Sequence, residues 1–448
     1  MNDQATILAI GDVHLGTSCS GVPDVVSSMG IDAAEPTPAN ALSLSVDLAI
    51  KEQVSAVVFA GDVVENTNAR FEALPPPERC LGRLLDAGIE VIAVAGNHDV
   101  EALPRLASML EGNVLLGAGG KWESRTIEKD GRPVAEGVGW SFGERHVRQS
   151  PVASLLAEPP APTAATIPRI GLLRADLDPA GGTYAPVRQA ELDNCGFDAW
   201  LLGHIHKPSI HDLAARAAAG PSGYLGSLVG LDRSETGPHG PWILRVGDGG
   251  QLDLEHVPLA PLRWEHVSIS VEGLEDAEDV EDRLISEATS HVDRIQREGP
   301  VPRAVGLIAR LTGGSPCHEE IRKRISAGQW NELGRMVNGT VAFFGKITAE
   351  MRPRIDLEEI AKGDDPAVLI AQRLISLEHD DKRSKGLLEQ AREALAGTAR
   401  DDRWSPVNEH RNATDRLSDQ ALRDVLRRSG MTALSKMLSH DESSGAPS

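Results

Sequence analysis

Residues 6–14 read TILAIGDVH, an apolar run that stops at a glycine and is followed at once by an aspartate and a histidine. The same order recurs in VSAVVFAGD (residues 54–62), VIAVAGNHD (91–99) and AWLLGHIH (199–206). Short runs rich in Val, Ile and Ala that stop at a glycine are typical of buried strands that reach a loop. The sequence therefore predicts several buried strands with polar residues gathered at their ends.

Helical patterns separate these strands at residues 41–53 and 77–87, and another apolar strand is predicted at residues 170–173. Strands that alternate with helices predict an α/β layered core. Open α/β sheets bind their ligands beyond the strand ends, so the polar motifs are placed where a site is expected. The Pro-, Ala- and Thr-rich residues 158–168 are predicted to form a surface loop within this core.

The pattern changes near residue 261. Strands are predicted at residues 266–271, 304–311 and 340–347, with a helix at 277–292 and another at 319–326. The predicted organisation is a catalytic α/β domain at residues 1–261, a small α+β capping domain at 262–351, a helical C-terminal region at 352–440 and a disordered tail at 441–448.

Composition limits the class of protein. The chain has 448 residues and four cysteines that form no CxxC pair, which argues against a zinc ribbon or a disulfide framework. The first residues do not resemble a signal peptide, and no stretch approaches the length of a membrane span. We expect a soluble, cytoplasmic protein with no membrane partner.

The net charge of −21 disfavours nucleic-acid binding by overall electrostatics, because phosphate contacts need local Lys and Arg. Bound divalent metals add positive charge at a site, and a partner subunit can supply a basic surface. The net charge therefore weakens a nucleic-acid hypothesis without excluding it.

The strand-end motifs contain metal-ligand chemistry. Residues two apart in an extended segment point the same way, so Asp12 with His14, and His204 with His206, can each address one locus. Carboxylate, imidazole and amide oxygen suit Mn, Fe or Zn. Two such metals about 3.5 to 4 Å apart can activate water for in-line displacement at phosphorus.

Each motif alone has an ordinary structural explanation. Asp62 can cap a helix or form a turn, Asn97 is a common turn former, and a lone DxH or HxH arises by chance. The four motifs in this order, each following an apolar strand, have no comparable structural explanation. Together they indicate a metal-dependent hydrolase.

The order resembles that of the calcineurin-like metallophosphoesterases, whose motifs run DxH, GDxx(D/E), GNH(D/E), a single His and GHxH. The resemblance implies a four-layer β-sandwich flanked by helices, and two divalent metal ions. It also implies the following roles: Asp12, His14 and His206 bind the first metal, Asp62 bridges, Asn97 and His204 bind the second, and His98 paired with Asp99 acts on the leaving oxygen. Glu65, at the acidic end of GDxxE, is as well explained as a solvated carboxylate as by a direct role.

One position departs from the family pattern. Arg174 stands where the family has its single histidine ligand, and an arginine cannot lose a proton to bind a metal. Either the second metal site is weak, or Arg174 has turned outward to hold a DNA phosphate. Asp176 lies close enough in sequence to compensate, although a plain loop aspartate is the simpler explanation.

Further stretches resemble the SbcD and YhaO branch of DNA repair exonucleases. They are GWSF at residues 139–142, YAP at 184–186, YLGSLVGLDRSETGPHGPWILRV at 224–246 and PLAPLRW at 258–264. The resemblance implies a Mn²⁺-dependent DNA exo- or endonuclease, a homodimer, and an SMC-like ATPase partner. Apolar residues 421–438 at helical spacing predict a face that either docks that partner or is buried in its own domain.

Two other functions stay open. The acidic net charge favours a phosphodiesterase that acts on small substrates. Arg174 favours a catalytically weakened DNA-binding or scaffold subunit.

Overall fold

The computed structural model describes residues 5–65, 75–110, 112, 114–164, 166–179, 181–210, 220–379, 382–399 and 418–444. The chain divides into two compact units. Unit 1 comprises Met1–Ile269, Glu281–Arg310 and Arg324–Thr348, and unit 2 comprises Ser270–Val280, Leu311–Lys323 and Ala349–Ser448. Across the described ranges, no helix combines the length and the apolar character needed to cross a membrane.

The described strands are β1 (Ala5–Ile10), β2 (Ala56–Phe59), β3 (Glu90–Ala93), β4 (Trp122–Lys129), β5 (Arg132–Trp140), β6 (Arg169–Arg174), β7 (Ala199–Gly203), β8 (Ser222–Tyr224), β9 (Trp242–Val246), β10 (Leu252–His256), β11 (Leu262–Ser270), β12 (Ala304–Ser315), β13 (Gly334–Val337) and β14 (Thr340–Pro353). The described helices are α1 (Asp24–Ser28), α2 (Pro38–Lys51), α3 (Pro75–Asp86), α4 (Ala102–Met109), α5 (Val152–Ala157), α6 (Gln189–Asp193), α7 (Asp279–Glu298), α8 (His318–Ser326), α9 (Leu357–Ile360), α10 (Ala367–Glu378), α11 (Lys382–Ala399) and α12 (Asp419–Ser444). The strands and helices predicted from periodicity are present, with limits that differ from the predicted ones by up to six residues.

Two five-stranded sheets form the core of unit 1, with strand orders β10-β9-β1-β2-β3 and β4-β5-β6-β7-β8. Strands β1, β2 and β3 are parallel to one another, as are β5 to β8. Antiparallel strands complete each sheet: β9 and β10 in the first, β4 in the second. Sequence reasoning did not predict β4 and β5; along β4 only Ile127 is buried, which weakens the apolar signal of that strand.

The two sheets pack face to face through side chains such as Ile7 and Val58 of the first and Leu172 and Leu201 of the second. The outer face of the first sheet is covered by apolar side chains of α2, α3 and α4. Apolar side chains of α5 and α6 cover the outer face of the second sheet. The predicted four-layer sandwich of two sheets flanked by helices is therefore confirmed.

A third sheet, with the order β11-β12-β14-β13, occupies the predicted capping region. Trp264 of β11 is fully buried, and its ring meets that of Phe343 with centroids 5.4 Å apart. Both rings share a hydrophobic cluster with Leu228 of the catalytic region, so most of the predicted cap falls within unit 1. The division into separate domains at residue 261 stays a prediction.

Unit 2 contains α9 to α12, and Leu434 of α12 is fully buried in a cluster with Leu374 and Leu377 of α10. This part of the predicted C-terminal apolar face is therefore buried within unit 2. Helix α12 continues to Ser444, so the predicted tail does not begin at residue 441, and residues 445–448 lie outside the described residues.

Candidate metal centre

The loops that follow the parallel strands carry the predicted site residues to one edge of the sandwich. The backbone N–H groups of Val13 and His14 both donate to the carbonyl oxygen of Asp62, at 3.1 and 2.9 Å. The carboxylate of Asp12 accepts bonds from the His204 backbone N–H at 3.0 and 3.1 Å. The first and last motifs, 192 residues apart, are thus joined directly.

Close approach and backbone strain accompany this convergence. His14, Asp62 and His204 have positive φ angles of 53°, 50° and 118°, a region that non-glycine residues seldom adopt. A Cβ atom on Gly96 would lie 2.1 Å from Asp62 Oδ1, which explains why the GNH motif begins with glycine. Strained residues of this kind cluster at functional sites, where the surrounding fold holds them.

Asp12, His14 and His206 form a compact group whose ligand atoms all lie within 4.8 Å of one another. The Nε2 atoms of His14 and His206 face each other at 3.1 Å. Two nitrogens that bind one cation at about 2.1 Å lie roughly 3 Å apart, so this group fits a divalent metal. These are the three residues predicted to bind the first metal.

Two glutamates hold the imidazole rings of that group. Glu65 Oε2 lies 3.2 Å from His14 Nδ1, and Glu235 Oε1 lies 2.7 Å from His206 Nδ1. Because a carboxylate only accepts hydrogen bonds, each Nδ1 carries the proton and each Nε2 is left to bind a cation. The sequence analysis did not identify Glu235 as a site residue. The signal that could have identified it is its position in the SETG stretch at residues 234–237.

The charges of the site shift the pKa values of its members. Burial, followed by the charge of Asp62, raises the pKa of Asp12. Burial alone would lower the pKa of His206, but the bond to Glu235 and the charge of Asp12 raise it above its ordinary value. Burial likewise opposes ionisation of Glu65, yet its hydrogen bonds with His14 and His98 hold its pKa well below the usual range. The group therefore combines negative carboxylates with imidazoles, as a cation site requires.

His98 lies beside the first group, with its ring centroid 5.0 Å from that of His14. Its Nδ1 lies 3.1 Å from Glu65 Oε1, and this bond is the main cause of a raised His98 pKa. Its side chain is 32% exposed, whereas that of Glu65 is 9% exposed, so the His98 ring is open to solvent. A raised pKa and partial exposure suit a proton donor.

The predicted pairing of His98 with Asp99 is wrong. The buried Asp99 carboxylate accepts bonds from the backbone N–H groups of Val63 and Gly96, at 2.7 and 2.6 Å. It therefore braces the two strand-end loops, and Glu65 orients the His98 ring instead. Burial and the charge of Asp62 raise the pKa of Asp99 to about 8.

The residues predicted to bind a second metal are engaged with protein groups. Asp62 Oδ2 accepts a 2.8 Å bond from Arg174 Nε, and its Oδ1 accepts a 3.0 Å bond from the His98 backbone N–H. His204 Nε2 lies 2.5 Å from Asp176 Oδ1. The side chain of Arg174 is only 3% exposed, so it has not turned outward toward solvent. Asp176 supports His204 and does not stand in for the missing ligand.

The electrostatics of this second group also disfavour a cation. Burial and the nearby Arg174 charge lower the pKa of His204 to about 4. Asn97 Oδ1 and His204 Nδ1 are buried with no hydrogen-bond partner among the described residues, so two neutral acceptors remain available. A permanent guanidinium charge beside the bridging aspartate does not fit a second divalent metal.

Residues 5–208 match the calcineurin-like phosphoesterase family. The chain contains a calcineurin-like metallophosphoesterase domain. The matched segment of this domain begins with β1 and ends just after His206, and it includes all of the predicted metal ligands. Members of the family typically use two metals, whereas here Asp12, His14 and His206 form one candidate ligand group and Arg174 is ion-paired with Asp62, the residue expected to bridge to the second metal.

The metallophosphoesterase domain is also similar to named relatives. The uncharacterized metallophosphoesterase YhaO of Bacillus subtilis is 26% identical over 268 residues, 59% of this chain and 63% of that protein. The DNA double-strand break repair protein Mre11 of Sulfurisphaera tokodaii is 33% identical over 93 residues, 21% of this chain and 22% of that protein. The Mre11 protein of Haloferax volcanii is 26% identical over 280 residues, 62% of this chain and 57% of that protein. The chain thus spans less than two thirds of each relative.

Proposed function

We propose that the protein is a metal-dependent nuclease that hydrolyses phosphodiester bonds in DNA. The observation that carries the proposal is the group of Asp12, His14 and His206, with the partly exposed His98 directly beside it. A divalent cation held by this group would activate a water molecule and neutralise charge on the phosphate. One carboxylate and two imidazoles suit Mn, Fe or Zn, and among these we propose Mn²⁺, the metal that the family resemblance implies.

The residues of the chain then account for the proton transfers. The oxygen of the attacking water would form a bond to phosphorus and release one proton to solvent, and the P–O bond to the leaving sugar oxygen would break. The leaving oxygen takes a proton from His98, because the bond to Glu65 raises the His98 pKa and favours the protonated ring, and His98 is then reprotonated from solvent. Glu65 acts as a positioning residue, because it bonds both the His98 ring and the metal-binding His14 ring.

The relatives support DNA as the substrate, since two of them are named as DNA double-strand break repair proteins. The net charge of −21 opposes DNA binding by overall electrostatics, so we propose that an SMC-like ATPase partner supplies a basic surface. We also propose a homodimer, in which two nuclease subunits act on one DNA.

The same charge favours a second candidate, a phosphodiesterase for small substrates, which needs no extended basic surface. A third candidate, a DNA-binding or scaffold subunit with weak catalysis, is favoured by the ion pair between Arg174 and Asp62.

One experiment separates the three candidates. The full chain is incubated with Mn²⁺ and either single-stranded DNA, double-stranded DNA or bis-p-nitrophenyl phosphate, with His14→Ala as the metal-site control. A nuclease cleaves DNA in a Mn²⁺-dependent way that His14→Ala abolishes. Hydrolysis of the small ester alone supports the phosphodiesterase. DNA binding without hydrolysis of either substrate supports the scaffold.

A further inference from the structure

Arg174 is a buried cation at the position where a second metal would be expected. It ends β6, paired in register with Gly203 of β7, so its backbone position is set by the sheet. A Cβ atom on Gly61 would lie 2.8 Å from Arg174 Cβ, which shows how closely the arginine packs against the GD motif. The side chain is therefore held in the site by the fold and is not a surface group that has folded inward.

The contacts of the guanidinium group fix its orientation. Its Nε donates to Asp62 Oδ2 at 2.8 Å. Its Cζ lies 5.8 Å from the ring centroid of Phe142 and 5.3 Å from that of Tyr184. The charge is thus balanced on one side by the aspartate that the family uses as a bridging ligand, with aromatic rings close by.

One end of the guanidinium group is left for a ligand. Arg174 Nη1 is buried and has no hydrogen-bond partner within the described part of the chain. Buried donors are almost always bonded, so an unpartnered one inside a site points to an acceptor that binds there. The planar fork of an arginine matches the oxygens of a phosphate.

The other members of the second group do not replace the lost ligand. Asn97 and His204 offer neutral acceptor atoms, while the carboxylate of Asp62 is engaged by Arg174. The first group, by contrast, offers a carboxylate and two imidazoles to one cation. The positive charge needed on the second side of the phosphate is already present in the chain.

We propose that the centre binds a single divalent metal and that Arg174 supplies the second positive charge, with Nη1 bonded to a nonbridging oxygen of the scissile phosphate. The choice of a phosphate ligand rests on the proposed function. The proposed number of bound metal ions does not rest on that function.

The test begins with the metal count. Full-length protein is saturated with Mn²⁺, freed of excess metal by gel filtration, and analysed by elemental analysis and electron paramagnetic resonance. The expected result is one Mn²⁺ per chain with the spectrum of an isolated ion. Arg174→His restores an imidazole and removes the charge, and it should bind two ions with a magnetically coupled spectrum. Two coupled ions in the wild-type protein would overturn the proposal.

The phosphate contact is tested with inorganic phosphate as the probe. Phosphate is titrated by calorimetry into Mn²⁺-loaded wild-type protein, Arg174→Gln, and the control Arg169→Gln. Arg169 lies at the other end of β6 and is bonded to Glu136 at 2.7 Å, so its loss removes a comparable ion pair away from the site. Arg174→Gln should weaken phosphate binding about tenfold or more, while the control stays near the wild-type value.

Equal phosphate affinity in wild type and Arg174→Gln, with both proteins folded and loaded, would overturn the role assigned to the guanidinium. Neither measurement uses DNA. A protein that holds one isolated Mn²⁺ and binds phosphate through Arg174 but cleaves no DNA would support this proposal and contradict only the nuclease function.

Discussion

Glu235 is predicted to set the metal affinity of the first site although it does not touch the metal. Its Oε1 lies 2.7 Å from His206 Nδ1, and its Oε2 accepts a 2.9 Å bond from the Leu231 backbone N–H. The side chain is 17% exposed, so solvent replaces these bonds poorly. Glu235→Gln keeps the shape of the side chain and removes its charge.

The expected loss of metal affinity follows from the hydrogen bond between Glu235 and His206, because the variant removes the charge on its acceptor. Hydrogen bonds to charged groups contribute about 1.5 to 3 kcal/mol, against about 1 kcal/mol for neutral ones, so the substitution costs about 1.5 kcal/mol. That is about tenfold in an equilibrium constant, at the lower end of the roughly 10- to 100-fold effects seen for groups that support metal-binding histidines. We expect the dissociation constant for the first Mn²⁺ to rise about tenfold.

Calorimetric titration of Mn²⁺ into wild-type and variant protein measures this change. Glu255→Gln is the matched control, because it removes the same charge from an exposed residue of β10 whose partner is Arg245. Urea unfolding without metal checks that both variants are folded. A dissociation constant for Glu235→Gln within twofold of the wild-type value would refute the reasoning that Glu235 controls His206.

Three further predictions concern other parts of the molecule. His98→Ala should keep the Mn²⁺ content and lose about 10²- to 10⁴-fold in turnover, because His98 is assigned to proton transfer; loss of the metal would contradict that role. Removal of residues 364–448 should leave Mn²⁺ binding unchanged and weaken capture of the proposed ATPase partner in a pull-down, whereas equal capture would refute the docking role. Glu265 is bonded to Arg263 at 2.5 Å, and although burial opposes its ionisation, hydrogen bonds to His291 and Arg263 lower its pKa. This stabilisation is present above the pKa of unfolded Glu and is lost as pH falls through the lower folded value. The free energy of unfolding in urea should therefore differ by about 1 to 2 kcal/mol between wild type and Glu265→Gln at about pH 6, and this difference should narrow towards pH 3. A difference that stays constant over this pH range would contradict the prediction.

The predictions from sequence succeeded where the signal is local. The runs that became β1, β2 and β3 are buried on both faces, so their apolar character is continuous and easy to detect. The hairpin of β4 and β5 was missed because β4 is partly exposed, with only Ile127 buried along its length. The predicted pairing of His98 with Asp99 was wrong because the side chains of adjacent residues at a tight turn point to different partners.

The sequence by itself determined the strand-end motifs, and with them the family, the four-layer fold and the residues available to bind metal. Each motif is a short segment, and the order of the four along the chain, each after an apolar strand, indicated their function without knowledge of distant contacts. Spacing along an extended segment paired Asp12 with His14, and the family resemblance then assigned these two residues and His206 to one metal.

Only the tertiary structure decided which partner each of these residues has. Glu235 is 29 residues from the His206 that it holds, and Arg174 is 112 residues from Asp62. Both contacts arise because parallel strands bring loops from distant parts of the chain to one edge of the sheet. An arginine in place of a histidine was visible in the sequence, but its burial against the bridging aspartate, with Nη1 left unpartnered, is a property of the folded chain alone.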